Sequence, residues 1–400
     1  MNKSAIADAR LRRRTGLPLL RYGFRPFFLS AGVWAVVAVA IRLADVSGAI
    51  AGGFAFEDAT RWHAHEMLFG YASAVVAGFA LTAVPNWTGR LPISGLPLLA
   101  LVSLWLAGRA ALAAPLSLSV AATIDAAFLP VLAAVLAREV IAGRNYRNIP
   151  VCGIILALGA ANVLFHLEAL GVIAADGYGV RMGIGMLSLL IGLIGGRIVP
   201  SFTNNWLGRQ KLERSATVTP WLERVVHAAS ALAVVCWLIV PDAVLSGVAL
   251  VAASSAHALR LSRWSAWRAW REPLVLVLHV GYAWIAIGFL LLALTNLFDP
   301  SMASAGLHAL GTGAIGTMTL AVMTRATLGH TGRELHASTG TVLLYAAVTA
   351  SAILRVGAGL IASAYIPLLI LAGVLWLVAF ALFVGVYGPM QLRPRVGDAD

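Results

Sequence analysis

The stretch Trp62–Arg90, WHAHEMLFGYASAVVAGFALTAVPNWTGR, decides how the rest of the chain is read. It opens on His63, His65 and Glu66, continues as one apolar run, and closes on the turn Pro85-Asn86-Trp87-Thr88-Gly89-Arg90. A run of this length spans the hydrocarbon core of a bilayer, about 30 Å, as a single helix. Imidazoles and a carboxylate in the first turns of such a helix are costly to bury, and ionisable groups inside a membrane are retained for function. Histidine is also a common ligand of haem iron and of copper.

Runs of the same kind recur to the end of the chain. Of 400 residues, 60% are hydrophobic and 12% charged, and the mean hydropathy is +0.86. These values lie outside the range of soluble domains and define a polytopic membrane protein. Twelve helices are expected, at 24–44, 62–84, 95–113, 116–137, 149–170, 178–200, 221–240, 243–261, 273–297, 304–328, 340–362 and 365–387. They form a single transmembrane domain over 24–388, between an N-terminal arm (1–23) and a tail (389–400). The first apolar run follows a basic segment and includes Ala38-Val39-Ala40, features of a cleaved signal peptide. Its length and the Arg42 that follows make it an uncleaved first helix. Cys152 and Cys236 fall near opposite membrane faces, so neither a disulfide nor a zinc ribbon is expected.

A net charge of +12 raises the question of nucleic acid, but the cations occupy short loops between apolar helices. They set membrane orientation instead. The N-terminal arm (Arg10, Arg12, Arg13, Arg14), Arg90, Arg138, Arg144, Arg147, Arg209, Lys211, Arg214, the run Arg260 to Arg271, Arg325, Arg333, Arg393 and Arg395 fall on one side. Asp45, Glu57, Asp58, Asp176, Asp242 and Asp299 fall on the other. Both termini are therefore expected to be cytoplasmic.

The closing turn repeats. Val84 to Arg90, Val199 to Arg209 and Leu328 to Arg333 each end a helix on a Gly-Arg pair, and the pairs are about 120 residues apart. Three pseudo-repeats of four helices follow, with the second, sixth and tenth helices equivalent. Such internal symmetry also marks transporters. The sixth and tenth helices are glycine-rich (Gly183, Gly185, Gly192, Gly195, Gly196; Gly306, Gly311, Gly313, Gly316). Tight helix packing accounts for this first; room for a flat cofactor against the backbone is the sharper reading.

Depth sorts the histidines. His63 and His65, His166 with Glu168, and His308 all lie at the outer level, from three helices. Positions i and i+2 differ by about 200° on a helix, so His63 and His65 do not readily chelate one ion. On the other side, His227, His257 and His336 read as interfacial or exposed, His279 as buried, and His330 as part of a repeat turn. Arg61, Arg109 and Arg181 read as cations snorkelling to the outer interface; with a haem present, they are the nearest partners for its propionates. The chain has no CxxCH, so any haem is non-covalent b-type, and no Walker A motif.

These residues carry a resemblance to the NnrS family of bacterial membrane proteins. The matching pieces are Gly23-Phe24-Arg25-Pro26-Phe27-Phe28, Trp62 to Met67, Pro85 to Gly89, Gly195 to Thr203, Leu278 to Tyr282, and His308 through Arg333. The resemblance implies haem and copper in an inner-membrane protein of nitric oxide metabolism and nitrosative-stress defence. By the same resemblance, ligands come from His63, His65, His166, His279, His308 and His330. A weaker, architectural likeness is to the twelve-helix catalytic subunit of haem-copper oxidases and nitric oxide reductases. There, the second and tenth helices supply axial histidines. The copper triad of that group needs histidines in the sixth and seventh helices, and the pattern here does not supply it. Likeness of fold transfers no mechanism.

Two functions follow. One is a haem protein that binds nitric oxide at a His-ligated metal and reduces it in the manner of a nitric oxide reductase. Glu66 and Glu168 then serve as proton carriers, and an unidentified donor supplies electrons. The alternative is a secondary transporter for a nitrogen oxide or metal–nitrosyl species. Transport sites lie near the midplane, whereas these histidines lie near the faces, which favours the haem protein.

Overall fold

In the computed structural model, residues 16–50, 56, 58–174 and 176–398 are described. Arg10, Arg12, Arg13, Arg14 and Glu57 of the charge argument lie outside them. Twelve helices among the described residues are long and apolar enough to cross a membrane. They are α1 (Phe24–Val46), α2 (Ala59–Thr88), α3 (Leu96–Ala113), α4 (Leu118–Ala142), α5 (Ile149–Ala169), α6 (Tyr178–Arg209), α7 (Pro220–Ile239), α8 (Val244–Ser262), α9 (Pro273–Leu297), α10 (Pro300–His330), α11 (Thr339–Leu360) and α12 (Tyr365–Leu392). No strand is present among the described residues. The protein is an all-α, multi-pass membrane protein, because in lipid a helix satisfies its own backbone polar groups.

Local chemistry sets the helix ends. The side chains of Asp58, Glu272 and Ser338 accept from backbone N–H groups of the first turns of α2, α9 and α11. Proline opens α3, α5, α7 and α9, where its missing N–H costs nothing. Gly89 closes α2 with φ +70°, a left-handed conformation that suits glycine.

Two helices depart from regular winding. α2 is π-helical over Glu66–Ala72 and α10 over Ala309–Gly316. Each segment begins directly after a histidine, His65 or His308. A hydroxyl follows each one: Ser73 donates to the carbonyls of Phe69 and Gly70, and Thr319 to those of Ile315 and Gly316. π-turns inside α-helices occur frequently at functional sites. The regular winding of α4 is interrupted at Ala127, between Leu118–Ala126 and Phe128–Ala142. There, Pro130 removes the hydrogen bond to the carbonyl of Ala126.

The chain divides into two compact units. Among the described residues, the first holds 16–183, 323–334 and 383–398; the second holds 184–322 and 335–382. In the first, α1 packs on α2 where a Cβ on Gly78 would lie 2.7 Å from the Phe28 ring. The N-terminal and C-terminal segments meet there: Arg25 donates to the carbonyls of Gln391 (2.8 Å) and Arg393 (2.6 Å), and Arg21 pairs with Asp398 (3.3 Å). Both described ends therefore lie on the same face. In the second unit, Gly185 packs against Val234, Gly196 against Arg260, Gly313 against Trp284 and Gly316 against Trp376. Most glycines of α6 and α10 thus serve close packing, whereas a Cβ on Gly311 would meet nothing within 4 Å.

Candidate metal centre

His65, Asp125 and His166 converge in the first unit, each buried, with ligand-capable atoms all within 4.8 Å of one another. They come from α2, α4 and α5. Asp125 Oδ2 lies 2.8 Å from His166 Nε2 and 3.1 Å from His65 Nε2. Asn162, one turn before His166 on α5, donates its amide to Asp125 Oδ2 (2.8 Å) and turns its Oδ1 to His65 Nε2 (3.0 Å). Glu66 Oε1 lies 3.1 Å from His65 Nδ1, and Trp34 donates to Glu66 Oε2 (2.7 Å). Arg109 of α3 bridges the two carboxylates, donating to Glu66 Oε2 (2.6 Å) and to Asp125 Oδ1.

Local winding explains why these groups meet. The Gly70 carbonyl, inside the π-turn, accepts from Trp105 of α3 (3.0 Å) as well as from Ser73. Gly70 and Gly108 let the charged groups approach the backbone. A Cβ on Gly70 would fall 2.6–2.7 Å from Glu66 Oε2, Arg109 Nη1 and Trp34 Nε1, and one on Gly108 2.7 Å from Asp125 Oδ1. Around His65 pack Phe56 (5.1 Å between ring centres), Phe165 (5.1 Å), Phe69 (5.4 Å) and His166 (4.9 Å). This aromatic shell excludes water.

Donor counting shows what the cluster lacks. Every partner of His65 is an acceptor: Glu66 at Nδ1, and Asp125 and Asn162 at Nε2. A neutral imidazole has one N–H to give. Two carboxylates against one guanidinium also leave one negative charge in a dry site. Both deficits are met by one more positive charge at His65 Nε2, either a proton or a metal cation held with Asp125 and His166. In the latter case Glu66 accepts the Nδ1–H of His65, the carboxylate–histidine–metal arrangement that fixes a ligating ring.

Of the other residues singled out from the sequence, His63 is half-buried and is not among these donors, as its offset around the helix requires. Glu168 caps α6, accepting from the backbone N–H of Tyr178 (2.7 Å) and Gly179 (3.1 Å). Arg181 donates to the carbonyl of Asp176 and lies over the Tyr178 ring, 5.1 Å from its centre; Arg61 is half-buried. Arg109 corrects the expectation of a snorkelling cation. It is 5% exposed, because two carboxylates take the place of water. His330 packs near Phe24 and Tyr22 in the first unit. The sequence reading passes over Asp125 and Asn162, although a lone Asp in the run Ala121-Ala122-Thr123-Ile124-Asp125-Ala126-Ala127 meets the same intramembrane rule as His65.

The second unit has its own buried polar network. Arg260 pairs with Glu223 and donates to the Tyr282 hydroxyl (2.8 Å) and to the Gly192 carbonyl (2.8 Å). Because Arg260 only donates, the Tyr282 O–H is left for His257 Nδ1 (2.7 Å), and His257 Nε2–H for Ser230 (2.8 Å). His257 is thereby buried at 1% exposure, correcting its reading as interfacial. His279 lies 2.9 Å from the Thr203 hydroxyl, which itself donates to Val199, so His279 Nε2 carries the hydrogen. His308 donates from Nδ1 to the Ser304 carbonyl (2.8 Å), which leaves Nε2 as the lone-pair nitrogen.

The family model described as NnrS protein matches residues 18–395, nearly the full chain. No curated protein matches it individually. The chain belongs to the NnrS family.

Proposed function

We propose that this NnrS-family membrane protein holds a transition-metal ion between His65, Asp125 and His166 and a b-type haem at His308, and that it binds and reduces nitric oxide at its His-ligated metal. The observation that carries this reading is the shortage of donors and of positive charge around His65 Nε2. The donor set suits one ion, with copper the family's expectation. It does not suit a porphyrin, because four rings lie within 5.4 Å of the imidazole. His308 suits iron better. Its Nδ1 donates to a backbone carbonyl, the kind of bond that orients a ligating ring, and three residues on, Gly311 leaves open space beside the backbone. The paired π-turns after His65 and His308 support reading α2 and α10 as repeat equivalents.

When bound, these groups would supply a coordination position for the gas and relay two electrons from an external donor, which with two protons convert two molecules of nitric oxide to nitrous oxide and water. The chain itself does three things. Glu66 orients His65 through Nδ1, Arg109 bridges both carboxylates and keeps them in register, and Phe56, Phe69 and Phe165 form a dry shell that an apolar gas enters readily. Of the two carboxylates expected to carry protons, Glu66 lies beside the centre, with Oε1 against His65 Nδ1, whereas Glu168 caps α6. A transport site near the midplane is less well supported. His65, Asp125, Arg109 and His166 lie three to seven residues from the ends of their helices, at most about two turns at 3.6 residues per turn.

The test is metal analysis with optical spectra of the detergent-purified protein, oxidised, reduced, and exposed to nitric oxide. We expect bands that shift with the gas. His166→Ala should lower bound metal while sparing haem, and His308→Ala should remove haem while sparing the metal. A colourless protein whose metal content ignores both substitutions refutes the proposal.

A further inference from the structure

The loops 210–219 and 263–272 of the second unit form one edge at the ends of α6 to α9. Thr217 N–H donates to the Arg263 carbonyl (3.0 Å) and Arg268 Nη1 to the Glu213 carbonyl (3.2 Å). Asn204 clamps the first loop with two bonds to Ala216 (2.8 and 3.0 Å). Trp264 and Ala269, both 0% exposed, anchor the second. The edge is thus built rather than slack.

Its outer side joins two features that a loop facing only water does not need together. Trp221, Trp267 and Trp270 are 51%, 66% and 61% exposed. Interleaved with them are the cations Lys211, Arg214, Arg224, Arg263, Arg268 and Arg271. Trp267 and Trp270 are three residues apart, as are Arg268 and Arg271, and the backbone over Ala266–Arg268 is a 3₁₀ turn. A turn closed by the Glu272 N–H on the Ala269 carbonyl follows it, so indole and guanidinium alternate along one short segment. Arg271 sits 4.8 Å from the centre of the Trp270 ring. Little here neutralises these cations. Glu223 is committed to Arg260 and Glu272 caps Leu274, which leaves Glu213.

We propose that this edge is a binding site for an anionic phospholipid. The phosphodiester is held by Arg268, Arg271 and the facing cations, and the indoles of Trp267 and Trp270 lie at the glycerol–acyl boundary. Indoles prefer the bilayer interface, and a soluble anion gives three exposed indoles nothing to cover. Excess positive charge selects an anionic headgroup over a zwitterionic one, since each cation near the surface adds attraction to anionic lipid.

The test uses full-length protein in nanodiscs of phosphatidylcholine with or without phosphatidylglycerol, with retained lipid counted by native mass spectrometry. We expect wild type to retain phosphatidylglycerol selectively, and Arg268→Gln/Arg271→Gln to weaken that retention by about tenfold or more. Arg268→Lys/Arg271→Lys should keep most of it, and Arg144→Gln/Arg147→Gln, on another loop, should not change it. Brominated phosphatidylglycerol should quench wild-type tryptophan fluorescence more than brominated phosphatidylcholine, with the difference lost in Trp267→Phe/Trp270→Phe. Equal retention of both lipids by wild type overturns the site. So does unchanged selectivity in the Gln variant, or displacement of the lipid by inorganic phosphate alone.

Discussion

Replacing Asp125 by Asn changes no shape and removes one charge, which makes it the sharpest probe of the cluster. Asp125 is 3% exposed and meets His65, His166, Asn162 and Arg109. The amide keeps an acceptor for Asn162 or His166 but removes one of the two carboxylates facing Arg109. Stripping one partner from a buried ion pair costs about 3–5 kcal/mol. Arg109 still has Glu66 at 2.6 Å, so no charge is left unpaired and the cost is that of the charge-assisted hydrogen bonds lost at Asp125, about 1.5–3 kcal/mol, or about ten- to a hundredfold in the unfolding equilibrium. Bound metal should fall as well, because a ligand is lost. Unfolding in mixed micelles followed by circular dichroism, together with metal stoichiometry, reads both effects. Adding Arg109→Gln separates them: the double variant should be less destabilised than the sum of the single ones by more than about 0.5 kcal/mol, yet remain metal-poor. If Asp125→Asn keeps wild-type stability and metal, or if the two substitutions add, the charge reasoning fails.

Gly70→Ala changes no ligand but drives a Cβ to 2.6–2.7 Å from Glu66, Arg109 and Trp34, so metal content should fall by elemental analysis; wild-type occupancy would refute the role of close approach. Gly196→Ala drives a Cβ into the Arg260 guanidinium and should destabilise by about 3 kcal/mol. Gly153→Ala, with nothing within 4 Å, should be neutral or slightly stabilising. Arg25→Gln frees the carbonyls of Gln391 and Arg393 and should cost about 2 kcal/mol for lost charged hydrogen bonds, visible as faster proteolysis of the C-terminal tail.

Much of the fold is legible because the bilayer turns structure into a one-dimensional rule of length and hydropathy. The twelve expected spans agree with the observed helices to within a few residues at most ends, and the largest departures are extensions. α6 runs on through Pro200 to Arg209, and α4 and α12 each end five residues later than expected, at Ala142 and Leu392, because segments expected to be loops stay helical. The glycine-rich helices read correctly as packing surfaces, with Gly311 as the exception. His257 was misplaced because it lies near the C-terminal end of α8 in sequence, while Tyr282 and Ser230, which enclose it, come from other helices.

By itself, the sequence determined that the chain is a membrane protein of twelve helices, that it belongs with the NnrS proteins, and that histidines and Glu66 lie inside membrane helices. Only the tertiary structure decided that His65 rather than His63 enters the cluster, that Asp125 and Asn162 complete it, and that Arg109 is buried between two carboxylates. The reason is physical. A helix in lipid is apolar on every side, so the pattern that tells a soluble helix which face is inside is missing. Which face turns inward is then set by contacts between helices distant in sequence, by a π-turn that rotates the residues after His65, and by glycines that let a guanidinium and a carboxylate reach the backbone.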